Sequence, residues 1–286
     1  MLQISETPLV YLENSSKKYS NHIYAKMESL NPTGSHKDRE TIAMINDMIS
    51  IGAKEAAIAS TGNAAISLAA LAPCAGIEVN VFLSRATSNE RLRLISIFGP
   101  VIHMVDGTYD DAIRESNLFA ETKSVYNANP GHNTHKMSGD SNIGLEISSQ
   151  MTYRRPDCVV VPSNNGTLIS GVWIGIRNEA KPIMVAAVAE KSSIMQSIAG
   201  YHRFNGRELD ETIEASHGKV VGVTDDEAAE STLELRYEGI FCEPASAASL
   251  AAAKKLEMED KTMVLLITGA ALKFPDWYAK ALNQRI

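Results

Sequence analysis

Long apolar runs are missing from this 286-residue chain: no stretch reaches the length needed to cross a bilayer, and residues 1–10 show no basic segment followed by an apolar core. Both absences argue against a membrane partner and predict a cytoplasmic protein. Cysteine is equally scarce. Cys74, Cys158 and Cys242 lie far apart, each within an apolar run, which predicts buried reduced thiols and not a disulfide frame or a zinc site. Nor is there an excess of positive charge. The 27 Lys and Arg against 34 Asp and Glu leave a formal charge of -7, with the basic residues scattered among carboxylates. That balance argues against a nucleic-acid partner and for a small molecule. Low-complexity tracts are also absent, and 44% hydrophobic with 21% charged residues is the balance of a folded chain.

What is present is a rhythm. Short apolar runs at 56–60, 79–84, 101–105, 124–127, 158–161, 183–189, 220–224 and 263–268 read as strands, each followed by a helical pattern. Crossovers of ten or more residues predict an α/β fold with mainly parallel sheets covered by helices on both faces. The length allows one large unit or two lobes sharing a cleft. Thr87 with Glu90, and Thr224 with Glu227, have the spacing of the capping box that starts a helix. Residues 129–141 and 200–218 carry the weakest periodicity and read as loops.

In open α/β sheets ligands sit beyond the carboxyl ends of strands, so residues between a strand and the next helix are the first candidates for function. Asn31-Pro32-Thr33-Gly34-Ser35-His36-Lys37-Asp38-Arg39 reads as a turn and a helix start with Ser35 as cap and Asp38 three positions on. Lys37 then falls in the first helical turn, where the helix terminus disfavours a second positive charge and favours an amine able to attack an aldehyde. The same residues also fit a solvated surface lysine. Ser60-Thr61-Gly62-Asn63-Ala64 gathers hydroxyls and backbone N–H groups suited to a carboxylate, or caps an ordinary helix. Ser163-Asn164-Asn165-Gly166-Thr167 repeats that arrangement as a nest for a phosphate. Thr268 ends an apolar run just before Gly269. Ser246 stands where it would cap the helix after Gly239-Ile240-Phe241-Cys242-Glu243-Pro244, and Glu243 is either structural or turned to a ligand. His132 and His135 lack a third ligand for a metal site.

Taken in order, these segments are similar to those of threonine synthases, members of the tryptophan-synthase-like (fold type II) enzymes that use pyridoxal 5'-phosphate (PLP). The first resembles the family's Asn-Pro-Thr-Gly-Ser-Phe-Lys-Asp-Arg, with His36 in place of Phe. The run 239–248 resembles Gly-Ile-Phe-x-Glu-Pro-Ala-Ser-Ala-Ala. The resemblance extends from Thr7-Pro8-Leu9 to Thr268-Gly269-Ala270-Ala271-Leu272-Lys273. It implies that Lys37 holds PLP as a Schiff base and acts as general acid and base. It implies that Asn63 meets the cofactor's ring hydroxyl, that Ser163, Asn164, Asn165, Gly166 and Thr167 cradle its phosphate, and that Thr268 faces its pyridine nitrogen and leaves that atom largely unprotonated. Ser60, Thr61, Gly62 and Asn63 then hold the substrate carboxylate. It further implies a homodimer and two lobes, a larger cofactor-binding one from 1–45 and 145–286 and a smaller mobile one from 46–144.

The departures are local. Threonine synthases bind the phosphate of O-phosphohomoserine with a Thr just after the loop Asn and with polar and Arg residues farther on. Here those positions carry Ala64, Tyr126, Asn127 and His132, so a hydroxyl and a bidentate guanidinium are replaced. Lys136 is a candidate for the missing charge. The expected activity is therefore a threonine-synthase-like reaction on a small amino acid. The alternatives are β-elimination or β-replacement, as in a serine/threonine dehydratase or a cysteine-synthase-like enzyme, or a noncatalytic PLP-binding protein.

Overall fold

Strands and helices alternate along the chain because apolar residues recur at spacing two in some segments and near 3.6 in others. The computed structural model of the protein describes residues 2–200, 206–273 and 277–278. The chain begins with strand β1 (Leu9–Tyr11), helix α1 (Glu13–Tyr19) and strand β2 (His22–Lys26). It continues through α2 (Lys37–Ile51), β3 (Glu55–Ala59), α3 (Asn63–Leu71), β4 (Glu78–Ser84), α4 (Asn89–Ser96), β5 (Val101–Val105), α5 (Tyr109–Lys123), β6 (Tyr126–Asn127) and α6 (His135–Gln150). Then come β7 (Cys158–Pro162), α7 (Thr167–Ile176), β8 (Ile183–Val188), α8 (Gly206–Ala215), β9 (Lys219–Gly222), α9 (Asp225–Leu235), α10 (Pro244–Ala253) and β10 (Thr262–Leu266).

Two compact units divide these elements. One contains Met1–Ser5 and Lys37–Gly139, the other Glu6–His36 and Asp140–Ile286. The second unit carries a six-stranded sheet in the order β1-β2-β10-β7-β8-β9, parallel except for β1 against β2. Its central strands are buried on both faces, and the two cores divide by strand period. Cys158 and Val160, Val185 and Ala187, Met263 and Leu265 enter one cluster. Val159 and Val161, Met184 and Ala186, Val264 and Leu266 enter the other. A run such as Cys-Val-Val-Val thus feeds both helical layers at once, which is why it shows no polar alternation. On one face, α6 and α7 cross at glycine. A Cβ on Gly144 would lie 2.2 Å from the Val172 carbonyl oxygen, and one on Gly175 2.0 Å from that of Ser141.

The first unit is a four-stranded parallel sheet in the order β5-β4-β3-β6. Ile58, Val79, Val81 and Leu83 pack one face with α2 and α3 residues such as Met44 and Leu68, while Ala57, Ala59 and Phe82 pack the other with Ala112 and Ile113. The α/β architecture with mainly parallel sheets agrees with the strand and helix rhythm of the sequence.

Several local expectations need correction. Strands β1 and β2 lie upstream of the first apolar run that reads as a strand. Ser124 is not in a strand: it ends α5 in the left-handed conformation at φ 54°, and β6 starts at Tyr126. Helix α6 starts inside the segment expected to be a loop, with the His135 N–H donating to Asn133 Oδ1 at 3.0 Å. Helix α8 likewise occupies part of 200–218, with Leu209 and Thr212 buried; residues 201–205 lie outside the described residues. Ser88, not Thr87, caps α4 by accepting from the Arg91 N–H, whereas the Thr224 and Glu227 box is formed in full. Cys74 is exposed, because it falls in the turn around Pro73 that follows α3; Cys158 and Cys242 are buried, and all three are free thiols. Among the described residues no helix is long and apolar enough to cross a membrane.

Candidate active site

Sheet order locates the ligand-binding edge of each unit. In the second unit, β7, β8 and β9 follow one another outward, whereas β10 adds to the other side of β7, so the carboxyl ends of β7 and β10 form a topological switch point. Leu265 pairs with Val160 in the parallel register between them. Counting onward, Thr268 and Ser163 leave the sheet at the same level on neighbouring strands, which are about 4.8 Å apart. Strand β2 runs parallel on the far side of β10, and its carboxyl end carries the segment leading to Lys37.

The turn after β7 has an anchored backbone. The Ser163 N–H donates to the Ala187 carbonyl at 2.8 Å, Asn164 Nδ2 to the Ala199 carbonyl at 3.2 Å, and the Thr167 N–H to Asn165 Oδ1 at 3.2 Å. Gly166 precedes α7 at φ 85°, a left-handed conformation that glycine adopts without strain. Ser163 is 3% exposed, yet its Oγ has no hydrogen-bond partner among the described residues. A buried hydroxyl without a partner costs about 1–3 kcal/mol, and an acceptor such as a phosphate oxygen relieves that cost. The residues here therefore fit the phosphate of PLP, with the first N–H groups of α7 adding partial positive charge.

Thr268 is 3% exposed, and its hydroxyl meets one protein group among the described residues, Ser246 Oγ at 2.9 Å. Ser246 does not cap α10. The helix starts at Pro244 with Glu243 at the cap position, and Ser246, in the first turn, points back to the end of β10. Its Oγ accepts from the Gly269 N–H at 2.8 Å. Glu243 is 5% exposed, and a Cβ on Gly269 would lie 2.5 Å from its carboxylate. Gly269 is thus required for the close approach of an acidic side chain.

The segment before Lys37 is fixed from below by a buried carboxylate. Glu28 accepts from Thr7 Oγ1 at 2.6 Å and from Asn31 Nδ2 at 2.7 Å. The His36 N–H donates to the Thr268 carbonyl at 3.0 Å. Lys37 follows directly in the chain and is the first residue of α2. Ser35, expected as the cap, is too far upstream: it bridges to Gly269, and its buried Oγ has no partner among the described residues. Asp38 is engaged by Ser67 Oγ at 2.6 Å. Glu40 pairs with the Lys37 amine from one helical turn on.

In the first unit, β4 and β5 extend one side of β3 while β6 adds to the other, so the turn Ser60-Thr61-Gly62-Asn63-Ala64 also sits at a switch point. Gly62 is the residue before α3, and a Cβ there would meet nothing within 4 Å. Ser60 Oγ accepts from the Gly62 N–H at 3.3 Å. Arg91 donates to Thr61 Oγ1 at 3.1 Å and has no carboxylate partner among the described residues. Sequence reasoning missed Arg91, because no motif connects α4 to this turn. Ala64 is half-buried and His132 is exposed. Tyr126 donates to Asp47 Oδ2 at 2.7 Å and accepts from Asn133 Nδ2 at 2.6 Å. Burial drives its phenol well above the usual range, with the Asn133 bond opposing and Asp47 adding to the shift.

Known proteins show where this chain belongs. The sequence profile of the family described as "Pyridoxal-phosphate dependent enzyme" matches residues 1–269. Threonine synthase of Methanocaldococcus jannaschii is 32% identical over 98% of this chain and 78% of its own length. That of Methanosarcina acetivorans is 31% identical over 96% and 76%. Among solved structures, the processed form of threonine deaminase isoform 2 from Solanum lycopersicum superimposes with a TM-score of 0.82 at 19% identity, covering 98% of this chain and 83% of that one. Maize serine racemase gives 0.82 at 18% identity, with 99% and 93% covered. The chain belongs to the pyridoxal-phosphate-dependent enzymes and is similar to their threonine synthases, with the tryptophan synthase β-like fold.

Proposed function

We propose that the protein converts O-phosphohomoserine and water into threonine and phosphate, with Lys37 as the residue that holds PLP. Support comes from the similarity to threonine synthases over nearly the whole chain. The carrying observation is the Thr268 and Ser163 pair of turns at one switch point, with a buried hydroxyl suited to an anion. When bound, PLP supplies the electron sink that lets a proton leave the substrate and a leaving group depart.

The chain's own groups do the rest. Lys37 Nζ bonds the cofactor and, once released, takes and returns protons at the substrate carbons. Ser163, Asn164, Asn165, Gly166 and Thr167 bind the cofactor phosphate. Asn63 orients the ring from its hydroxyl side and Thr268 from its nitrogen. Ser60, Thr61 and Gly62 bind the substrate carboxylate with the N–H groups that open α3, and Arg91 holds Thr61 in place. Residues 1–45 and 145–286 form the cofactor-binding portion and 46–144 the substrate-closing one. The working form is a cytoplasmic homodimer.

A second reading, β-elimination or β-replacement on serine-like substrates, is favoured by Ala64, which offers no hydroxyl to a substrate phosphate, and by the exposure of His132. Purified protein mixed with PLP is expected to show the absorption band of lysine-bound cofactor, and hydride reduction followed by peptide mapping to place it on Lys37. An unmodified Lys37 would overturn the proposal. Separate incubation with O-phosphohomoserine, threonine, serine and O-phosphoserine then decides the reaction. Threonine supports the first reading; a 2-oxo acid, or a product formed only with sulfide, supports the second.

A further inference from the structure

The Ser246 hydroxyl lies between three groups, and their distances determine where its one proton goes. Ser246 Oγ accepts from the Gly269 N–H at 2.8 Å. It has two acceptors within reach, Thr268 Oγ1 at 2.9 Å and the Gly269 carbonyl at 3.3 Å. Only the first falls within the usual O–H···O range of about 2.5–3.0 Å. The Gly269 carbonyl already accepts from the Glu243 N–H at 3.0 Å. Ser246 and Thr268 are both buried, so water does not compete for these bonds.

We infer that Ser246 is a positioning residue that donates to Thr268 Oγ1 and thereby turns the Thr268 hydroxyl into a donor toward the cofactor's ring nitrogen. The inference rests on the proposal that Thr268 faces that nitrogen. A hydroxyl has one proton. If Thr268 accepts from Ser246, its own proton points outward, and its partner must be an unprotonated nitrogen. If Thr268 instead donated to Ser246, it would present only lone pairs, and a protonated nitrogen would be preferred. Because the Gly269 carbonyl lies beyond the usual range and Thr268 Oγ1 within it, the proton of Ser246 goes to Thr268, and the relay runs from the Gly269 N–H to Ser246, from Ser246 to Thr268 and from Thr268 to the ring. The protonation state of the cofactor is chosen by a residue that does not touch it.

The test uses PLP labelled with nitrogen-15 in the ring, bound to the full-length protein, with the nitrogen resonance read by NMR across neutral pH. The unmodified protein is expected to show an unprotonated ring nitrogen. S246A is expected to move the resonance toward the protonated position and to weaken PLP retention about tenfold. In a T268V background the same substitution is expected to change retention by less than about twofold, since the relay is already cut. A protonated nitrogen in the unmodified protein, or losses that add independently in the double variant, would overturn the inference. If S246A does not fold, S246C, which keeps the volume but donates weakly, is expected to move the resonance in the same direction, and an unmoved resonance would overturn the inference. Failure of PLP to attach to Lys37 would remove the functional proposal and this inference together; attachment with a protonated ring would remove only the inference.

Discussion

Lys26 is fully buried and holds its ammonium 2.6 Å from Oε2 of Glu146. The same ammonium donates to the Thr7 carbonyl at 2.7 Å and to Gln150 Oε1 at 3.0 Å. Strand β2 and helix α6 are thereby joined beneath the segment that leads to Lys37. K26M is expected to lower unfolding free energy by about 3–5 kcal/mol, because it removes one partner of a buried ion pair. Urea denaturation of K26M, E146L and the double variant measures this. The pair should show a coupling above about 1 kcal/mol, and additive losses would contradict it.

The thiols predict an alkaline limit to stability. Burial pushes Cys158 up to about 12, with Lys219 opposing and Asp157 adding, and burial followed by Glu243 raises Cys242 as well. Below an ordinary value of 9.0 both folded and unfolded chains keep these protons. Above it the unfolded chain releases them first, so stability falls by about 1.4 kcal/mol per pH unit for each thiol. Denaturation at rising pH checks the slope. Iodoacetamide at neutral pH should modify Cys74 in the folded protein and reach Cys158 and Cys242 only after unfolding.

Arg91 predicts a binding effect. With its hydrogen bond to Thr61 removed, the turn that precedes α3 loses a brace but no group of the proposed chemistry. R91M is expected to raise KM for the amino-acid substrate about five- to twentyfold, the loss of one charge-assisted hydrogen bond, and to change kcat little. Steady-state kinetics separates the two. A loss confined to kcat would place Arg91 elsewhere in the reaction.

Much of the fold was legible because buried parallel strands are uniform apolar runs, and β4, β5, β7 and β8 fell within a residue or so of their expected limits. Strand β2 was harder: His22-Ile23-Tyr24-Ala25-Lys26 alternates, and its last residue is a lysine whose burial depends on a carboxylate 120 positions away. Helix α8 and the start of α6 resemble loops in sequence because polar side chains occupy their buried faces, Thr212 in the first and Lys136 and Asp140 in the second. Ser246 looks like a cap from its place near a proline. Its partner is set by where β10 ends, which no local pattern encodes.

By itself, then, the sequence determined which residues are available for chemistry. A lysine after Asn-Pro-Thr-Gly-Ser-His, two small polar turns and a threonine before glycine are written in local order, because turn and helix-start preferences act over a few residues. Tertiary structure alone decided how those residues are partnered. Strand order put Ser163 and Thr268 just beyond the ends of neighbouring strands, and long-range packing brought Ser246 to Thr268 and Arg91 to Thr61. A hydroxyl becomes donor or acceptor only through the groups around it. Those groups come from distant parts of the chain, and the sheet register decides which of them meet.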